Sequence, residues 1–369
     1  MKSDPLIIES TERILADLCD PMTVNAAEDG QWPKALWDAL EESGLLGAWI
    51  PEDLGGVGAD LADGFAIARR AAAHAAPIPI GETLLAGWLV GNAGLSPPPG
   101  PSSLLPIDPA DRIVFKDGAL EGCAKRVPFA RSCEHLAVLF ECANAHPSAD
   151  DAANGLGTGV AIIERKACTI DHGNSLAGEP QDTLTLDRVR PIAHTLPDPD
   201  SQGENRAERM LWMGALLRSA QMAGALESCL QQSLEYAAER RQFGRPIAKF
   251  QAVQHNLAML AGEVAAASVS TDAAIDALAR HGFGDERAFL AIAAAKIRTG
   301  QAAGAGAAIA HQVHGAMGFT REYSLQQRTR RLWAWRDEFH PESAWAIELG
   351  RHIARTGGGE RVWEAITAV

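Results

Sequence analysis

The feature that most constrains this chain of 369 residues is a periodicity of apolar residues that changes twice. Helical spacing extends to about residue 95, short strand-like segments separated by Asp-Gly, Gly and Asn turns cover about 110–198, and helical spacing returns from 206. Proline-containing polar segments at 96–109 and 196–205 separate the three parts, because proline and glycine clusters do not continue a helix. The pattern therefore predicts three domains.

The predicted fold class is mainly α with a central β domain. The N-terminal helical domain is expected at 1–100, the β domain at 101–200 and a C-terminal helical bundle at 201–369. In the last part, Leu226 and Leu230 share a helical face, and an Ala-rich stretch follows at about 286–312. At least four long helices are expected there.

The charge and the cysteine content exclude several classes of function. A net charge of -14 argues against nucleic acid as a partner, because phosphate binding requires a basic surface. The six cysteines form no CxxC pair and show no metal-ligand spacing, so reduced thiols and no metal are expected. The sequence contains no apolar signal core and no membrane-length run, so we expect a cytoplasmic protein without a membrane partner.

The segment ERRQFGRPI at 239–247 places three arginines beside a glycine where a predicted helix ends. Arginine forks there can bind a phosphate or pyrophosphate through paired hydrogen bonds. The same residues are also typical of a solvated helix C-terminus that the helix dipole stabilises. The segment alone does not decide between the two interpretations.

A second segment, HQVHGAMGFTREY at 311–323, joins two predicted helices through Gly315 and Gly318, where a backbone can approach a bulky ligand. An ordinary turn between helices explains it equally well. His311 and His314 are interpreted as structural. Downstream, RTRRLWAWRDEFHPES places Asp337, Glu338 and Glu342 near two tryptophans. A carboxyl group held against an aromatic surface would have a raised pKa suited to a base, although solvated ion pairs also explain these charges.

Three segments in order, WDALEESGLLGAWIPEDLGGVG, YAAERRQFGRPIAKFQAVQHNLAML and HQVHGAMGFTREYSLQQRTRR, resemble the acyl-CoA dehydrogenase family. The resemblance implies α,β-dehydrogenation of an acyl-CoA substrate in lipid metabolism, with FAD as cofactor. By similarity, Arg240 and Phe243 match residues that contact FAD across a subunit interface, and Gln251 lies near the dinucleotide. Gln312 and Gly315 match the part that holds the pyrophosphate of a neighbouring subunit's flavin, and Ala316 replaces a family glycine.

The sequence departs from the family where the chemistry takes place. Ungapped counting places Phe339-His340 where members carry the Glu-Gly of the catalytic base, so Glu338, one residue away, is the candidate base. An alternative family position falls on Gly214, with Glu208 six residues off. The Thr-Glu-Pro and Gly-Ser-Asp stretch that lines the flavin ring is replaced by LLPIDPADRIV.

These departures imply a partner subunit that completes the site. The chain resembles a subunit of the α2β2 acyl-CoA dehydrogenases of bacterial steroid side-chain breakdown, with an electron-transfer flavoprotein or similar acceptor. Two alternatives stay open: a self-sufficient homotetramer that uses Glu338 as base, and a non-catalytic structural or regulatory homologue. Retention of Arg240, Phe243 and Gln312 opposes the second alternative, because these residues have no evident use without a dinucleotide.

Overall fold

In the computed structural model, the described residues are 3–108, 110–142, 157–197 and 205–357, with 359 and 363. The chain begins with five helices, two of which start at Asp-Pro: Asp4 and Asp20 each accept a hydrogen bond from a first-turn N–H group, and proline occupies the next position. The five are α1 (Pro5–Leu18), α2 (Pro21–Glu28), α3 (Lys34–Glu42), α4 (Leu61–Ala73) and α5 (Ile80–Asn92).

An eight-stranded sheet follows. The strands are β1 (Ser102–Leu105), β2 (Ile113–Lys116), β3 (Ala119–Pro128), β4 (His135–Cys142), β5 (Thr158–Glu164), β6 (Thr169–Asp171), β7 (Gln181–Val189) and β8 (Ala193–Thr195). Their order in the sheet is β6-β7-β3-β2-β4-β5-β8, and β1 pairs with β4 in parallel. The first strand lies inside the proline-containing segment 96–109, which was predicted to be only a break.

Helices return after the sheet, with a two-stranded hairpin after the first of them. They are α6 (Arg206–Glu239), α7 (Gln251–His281), α8 (Glu286–His314), α9 (Leu325–Arg336) and α10 (Glu342–Thr356), and the hairpin strands are β9 (Arg241–Gln242) and β10 (Arg245–Pro246). The predicted fold class, mainly helical with a central sheet and C-terminal helices, is confirmed. Within the described residues, no helix has both the length and the apolarity needed to cross a bilayer.

Contacts divide the chain into two compact units. The helical unit comprises Met1–Leu36, Phe65–Pro77 and Ala215–Val369, and the sheet unit comprises Trp37–Gly64 and Ile78–Gly214. The division into domains 1–100, 101–200 and 201–369 stays a prediction, since contact density follows a different grouping.

Each unit has its own apolar core. In the helical unit, buried alanines of α8 such as Ala303 and Ala307 pack against Leu226, Leu260 and Leu332. Small side chains let these helices approach each other closely. The Ala-rich stretch at about 286–312 therefore forms part of a helix–helix interface. In the sheet unit, residues of β3, β4, β5 and β7 form the core, among them Leu120, Val138, Ile163 and Leu184.

Candidate functional site

Three helix ends meet at one end of the helical unit. Ala237 near the end of α6, Leu257 in α7 and Val313 near the end of α8 form a small buried cluster. The predicted cofactor residues Arg240, Gln251 and Gln312 lie within six positions of its members. This apolar cluster therefore fixes the helix ends that carry the predicted cofactor residues.

The Arg-rich segment forms the β9–β10 hairpin, whose tip is Phe243-Gly244. Both tip residues have positive φ, 51° and 79°, which is the backbone of a tight two-residue turn. Phe243 is 91% exposed and is therefore presented outward. Arg245 lies over the ring of Phe250 at 4.3 Å, which braces the base of the hairpin. A phenylalanine held exposed at positive φ is unfavourable for folding alone and is typical of a binding element.

Gln312 and Gly315 are exposed at the C-terminus of α8, where Gly315 adopts a φ of 60°. Two buried histidines, His311 and His314, anchor the C-terminus of α8. Nε2 of His311 lies 2.9 Å from the Thr329 hydroxyl, and Nδ1 of His314 lies 2.8 Å from the carbonyl oxygen of Ala310.

Aromatic stacking adds to this support, since the ring of His314 stacks on Tyr236 and that of His311 on Phe319. Burial lowers the pKa of both histidines, which keeps the rings neutral at neutral pH. This geometry agrees with their interpretation as structural.

The donor groups at this end suit a dinucleotide pyrophosphate. Arg240, Arg241 and Arg245 are exposed, and Gln251 and Gln312 present exposed side-chain amides. The first turn of α7 receives no side-chain cap from Phe250, so its N–H groups also remain available as donors. The residues therefore fit the diphosphate of FAD in chemistry, and the individual roles of Arg240, Phe243, Gln251, Gln312 and Gly315 stay predictions.

The candidate base Glu338 is buried and paired. Its carboxylate accepts a hydrogen bond of 2.7 Å from Nε of Arg218, and the two residues are 7% and 1% exposed. Nη1 of Arg218 also donates to Oε1 of Gln221, and its guanidinium lies 5.8 Å from the centre of the Trp335 ring. The aromatic neighbour was predicted from sequence, but the arginine was not.

Phe339 and His340 stand where ungapped counting predicts the family's catalytic Glu-Gly. In the structure they form the turn between α9 and α10. Phe339 is 2% exposed, and its carbonyl oxygen accepts a hydrogen bond of 2.9 Å from Nε1 of Trp345. Phe339 and His340 have φ values of 49° and 70°, a left-handed conformation in which glycine is the residue without steric cost. The backbone thus has a glycine-like geometry at a position that contains no glycine.

A second buried charge, Lys296, lies in this part of the helical unit. Its ammonium group is fully buried and donates to the carbonyl oxygen of Arg336 at 2.7 Å. Burial lowers its pKa to about 8. Arg336 forms an ion pair with Glu342, and Gly300 leaves room for it, since a Cβ there would lie 2.9 Å from Oε2 of Glu342.

Sequence reasoning missed both Arg218 and Lys296. The sequence does contain a signal for their burial. Arg218 is the single charge in the apolar run LLRSA, and Lys296 is the single charge in the alanine-rich run AAAKI.

The alternative base position offers no carboxylate on the expected face. Gly214 is buried within α6, and Glu208 is exposed in the first turn of that helix, where its N–H donates to the side chain of Asn205. Six residues along a helix turn a side chain by about 240°, so Glu208 and Gly214 face different directions.

In the sheet unit, the end of β1 overlaps the start of LLPIDPADRIV, the segment predicted by similarity to replace the family's flavin-ring stretch. The hydroxyl of Ser103 donates to the carbonyl oxygen of Pro128 at 2.6 Å, and Leu104 and Leu105 are buried. A cis peptide bond joins Leu105 to Pro106. The side chains of this strand are therefore buried in the protein interior.

Comparison with known proteins gives consistent matches. The model for the N-terminal domain of acyl-CoA dehydrogenases matches residues 3–94, and the model for their C-terminal domain matches 201–335. One relative, acyl-CoA dehydrogenase IpdE2 of Mycobacterium tuberculosis, is 27% identical over 363 residues, which cover 98% of this chain and 97% of that protein.

Two solved structures share the fold at lower identity. A variant of the steroid acyl-CoA dehydrogenase Tcur3481–Tcur3483 superposes with a TM-score of 0.80 at 22% identity and covers 95% of this chain and 97% of that chain. The ChsE4–ChsE5 complex of Mycobacterium tuberculosis gives a TM-score of 0.80 at 19% identity, with the same coverage of both chains.

Proposed function

The chain belongs to the acyl-CoA dehydrogenase family, and we propose that it is one subunit of a heteromeric enzyme whose partner subunit supplies the catalytic base. The family comprises oxidoreductases that act on CH–CH bonds with FAD as cofactor. The proposed reaction is α,β-dehydrogenation of an acyl-CoA thioester.

One observation carries the proposal. Glu338, the carboxylate adjacent in sequence to the expected base position, is hydrogen-bonded to Arg218. A base for an α-proton must reach that proton within hydrogen-bond distance. Glu338 is 7% exposed and is bonded to a guanidinium that is itself 1% exposed. Moving its carboxylate away would leave Arg218 buried without this counter-charge, which costs about 3–5 kcal/mol. A base from another subunit avoids this cost.

This chain's own residues contribute binding and orientation. Arg240 and the exposed amide of Gln312 are suited to hold the diphosphate, and the exposed ring of Phe243 is suited to contact a flat apolar group of a neighbouring subunit's cofactor. When bound, FAD accepts the hydride from the β-carbon of the substrate.

For the substrate we propose a steroid-derived acyl-CoA, with an electron-transfer flavoprotein or similar carrier as electron acceptor. The support is the likeness to a steroid acyl-CoA dehydrogenase and to a two-protein complex of the same fold. That likeness also supports a heterotetramer as the assembly.

The deciding experiment compares this chain purified alone with the chain co-expressed with a second family member encoded beside it. Flavin content, native mass and acyl-CoA-dependent dye reduction are measured on both. We expect flavin and turnover only in the mixed assembly. Full flavin and turnover in the chain alone would refute the proposal.

The variant Glu338→Gln, measured in the active assembly, tests the role of this carboxylate directly. Glutamine keeps the shape and can still accept from Arg218, so turnover should stay within about two-fold of the parent under the proposal. Loss of turnover by several orders of magnitude would identify Glu338 as the base, as a self-sufficient enzyme requires.

A further inference from the structure

The two tyrosines of this chain, Tyr236 and Tyr323, pack around one buried histidine, His314. The ring of His314 stacks on that of Tyr236, with 4.5 Å between the ring centres and 27° between the planes. The ring of Tyr323 lies 5.0 Å from that of His314 and meets Tyr236 edge to face at 5.8 Å. These three side chains, here called the aromatic cluster, contact one another in the stacked and edge-on geometries that aromatic rings prefer.

Hydrogen bonds fix the orientation of the central ring. His314 is 3% exposed, and its Nδ1 donates to the carbonyl oxygen of Ala310 at 2.8 Å. On the other side, Nε2 lies 3.3 Å from the hydroxyl oxygen of Tyr323. The turn after α8 also packs closely against this residue, since a Cβ on Gly318 would lie 3.0 Å from Cβ of His314. Rotation of the imidazole ring would break these polar contacts.

The stacked pair joins two helix ends that carry predicted cofactor residues. Tyr236 lies in the last turn of α6, where its carbonyl oxygen accepts a hydrogen bond of 2.8 Å from the N–H of Arg240. His314 lies at the end of α8, two residues after Gln312 and directly before Gly315. The Tyr236–His314 stack therefore links the end of α6 that carries Arg240 to the end of α8 that carries Gln312.

The nearby apolar cluster of Ala237, Leu257 and Val313 does not fix this placement in the same way. Apolar burial is non-directional, so it holds the helix ends together without setting an orientation. A stacked ring with bonded nitrogens sets both a distance and an angle. Groups that bind one ligand together must keep their relative positions to within about 0.5 Å, which requires such directional support.

We propose that His314 is a positioning residue for the cofactor. Its ring sets the placement of Arg240 relative to Gln312, so that both side chains can hold the diphosphate of FAD. The inference rests on the proposed function, because it assumes the cofactor-binding roles of these two residues.

Flavin affinity, measured without substrate in the assembly that binds FAD, tests the proposal. His314→Ala removes the stack and should raise the Kd of FAD at least about five-fold, which corresponds to the loss of one aromatic pair. His314→Phe keeps a ring against Tyr236 and should restore the Kd to within about two-fold of the parent. Tyr236→Leu removes the other ring from a half-buried position and should weaken flavin binding as much as His314→Ala, so the test does not depend on how one variant folds.

His352→Ala is the matched control. His352 lies 5.1 Å from the ring of Phe289 and forms an ion pair with Glu286, so it too joins an aromatic ring of α8 to another helix. These contacts lie near the other end of α8, roughly 40 Å from His314 along the helix. This variant should leave the Kd of FAD unchanged, whatever its effect on Tm.

Fluorine NMR of the isolated chain labelled with fluorotyrosine gives a readout that does not involve flavin, because both tyrosines belong to the aromatic cluster. His314→Ala should shift both resonances while the circular dichroism spectrum stays that of the parent.

The proposal is overturned if folded His314→Ala and Tyr236→Leu bind FAD like the parent, if His314→Phe binds it as weakly as His314→Ala, or if His352→Ala weakens binding equally. Absence of acyl-CoA turnover in a parent assembly that binds FAD would count against the proposed reaction only, since flavin affinity is measured without substrate.

Discussion

Replacing Arg218 by methionine tests whether the Arg218–Glu338 pair is a structural element of the helical unit. Methionine retains much of the side-chain length but leaves the Glu338 carboxylate buried without this counter-charge. Breaking a buried ion pair in this way costs about 3–5 kcal/mol. For a domain of this size each kcal/mol lowers Tm by roughly 2–4 °C, so a fall of about 6–20 °C is expected.

The companion variant combines Arg218→Met with Glu338→Leu. This double variant removes both charges of the pair, so neither is buried without the other. Its Tm should therefore be close to that of the parent and well above that of Arg218→Met. Arg351→Ala serves as the control, since its ion pair with Glu348 is solvent-exposed and exposed pairs contribute little. Thermal unfolding followed by circular dichroism, at fixed protein and flavin concentrations, gives the four Tm values.

A Tm of Arg218→Met that matches the control would refute the reasoning. It would mean that Glu338 has an alternative partner or turns to solvent at little cost. Glu338 could then act as the base, and the self-sufficient enzyme would become the better proposal.

Three further outcomes are expected. Lys296 has a folded pKa near 8, below that of the unfolded chain, so the parent should gain stability relative to Lys296→Met as pH rises from about 8 to 10; a constant difference in Tm would contradict this. Phe243→Ala should lower flavin retention of the assembly on gel filtration while the Tm of the isolated chain stays unchanged, because the side chain is 91% exposed. Gly224→Ala should destabilise the fold, since its Cβ would lie 2.0 Å from the Arg69 carbonyl oxygen, whereas Gly262→Ala, with open space around it, should stabilise α7 by about 0.5–1 kcal/mol; equal urea midpoints would contradict both.

Local sequence signals predicted a mainly helical fold with a central sheet, and the structure confirms this class, whereas most of the predicted break at 196–205 lies outside the described residues. Gly44 follows α3 with a φ of 76°, a conformation that glycine favours, and the prolines at 77 and 79 lie between α4 and α5. Such features depend on backbone preferences of one or two residues, and these preferences are visible in the sequence. The strand β1 was missed because SSLL lies among prolines and is extended through pairing with β4, which starts 33 residues later.

The candidate site was predicted less completely. The arginines around 239–247 and the glycines at 315 and 318 were identified, but the hairpin that presents Phe243 was not. Pairing between Arg218 and Glu338 joins residues 120 positions apart, and no local periodicity encodes it. The charges around Trp333 were consistent with a solvated surface, whereas Arg328 and Arg331 are in fact buried.

The left-handed turn at Phe339-His340 also bears on how this chain could change over evolution or by design. Its backbone already has the dihedral angles that a glycine adopts without strain, so exchanging two adjacent side chains requires no new loop conformation. A glycine at 340 would relieve a penalty of roughly 1 kcal/mol, which offsets part of the cost of placing a carboxylate where Phe339 is buried. In terms of mutational distance, the chain is two substitutions from the Glu-Gly pair that marks the catalytic base in its family.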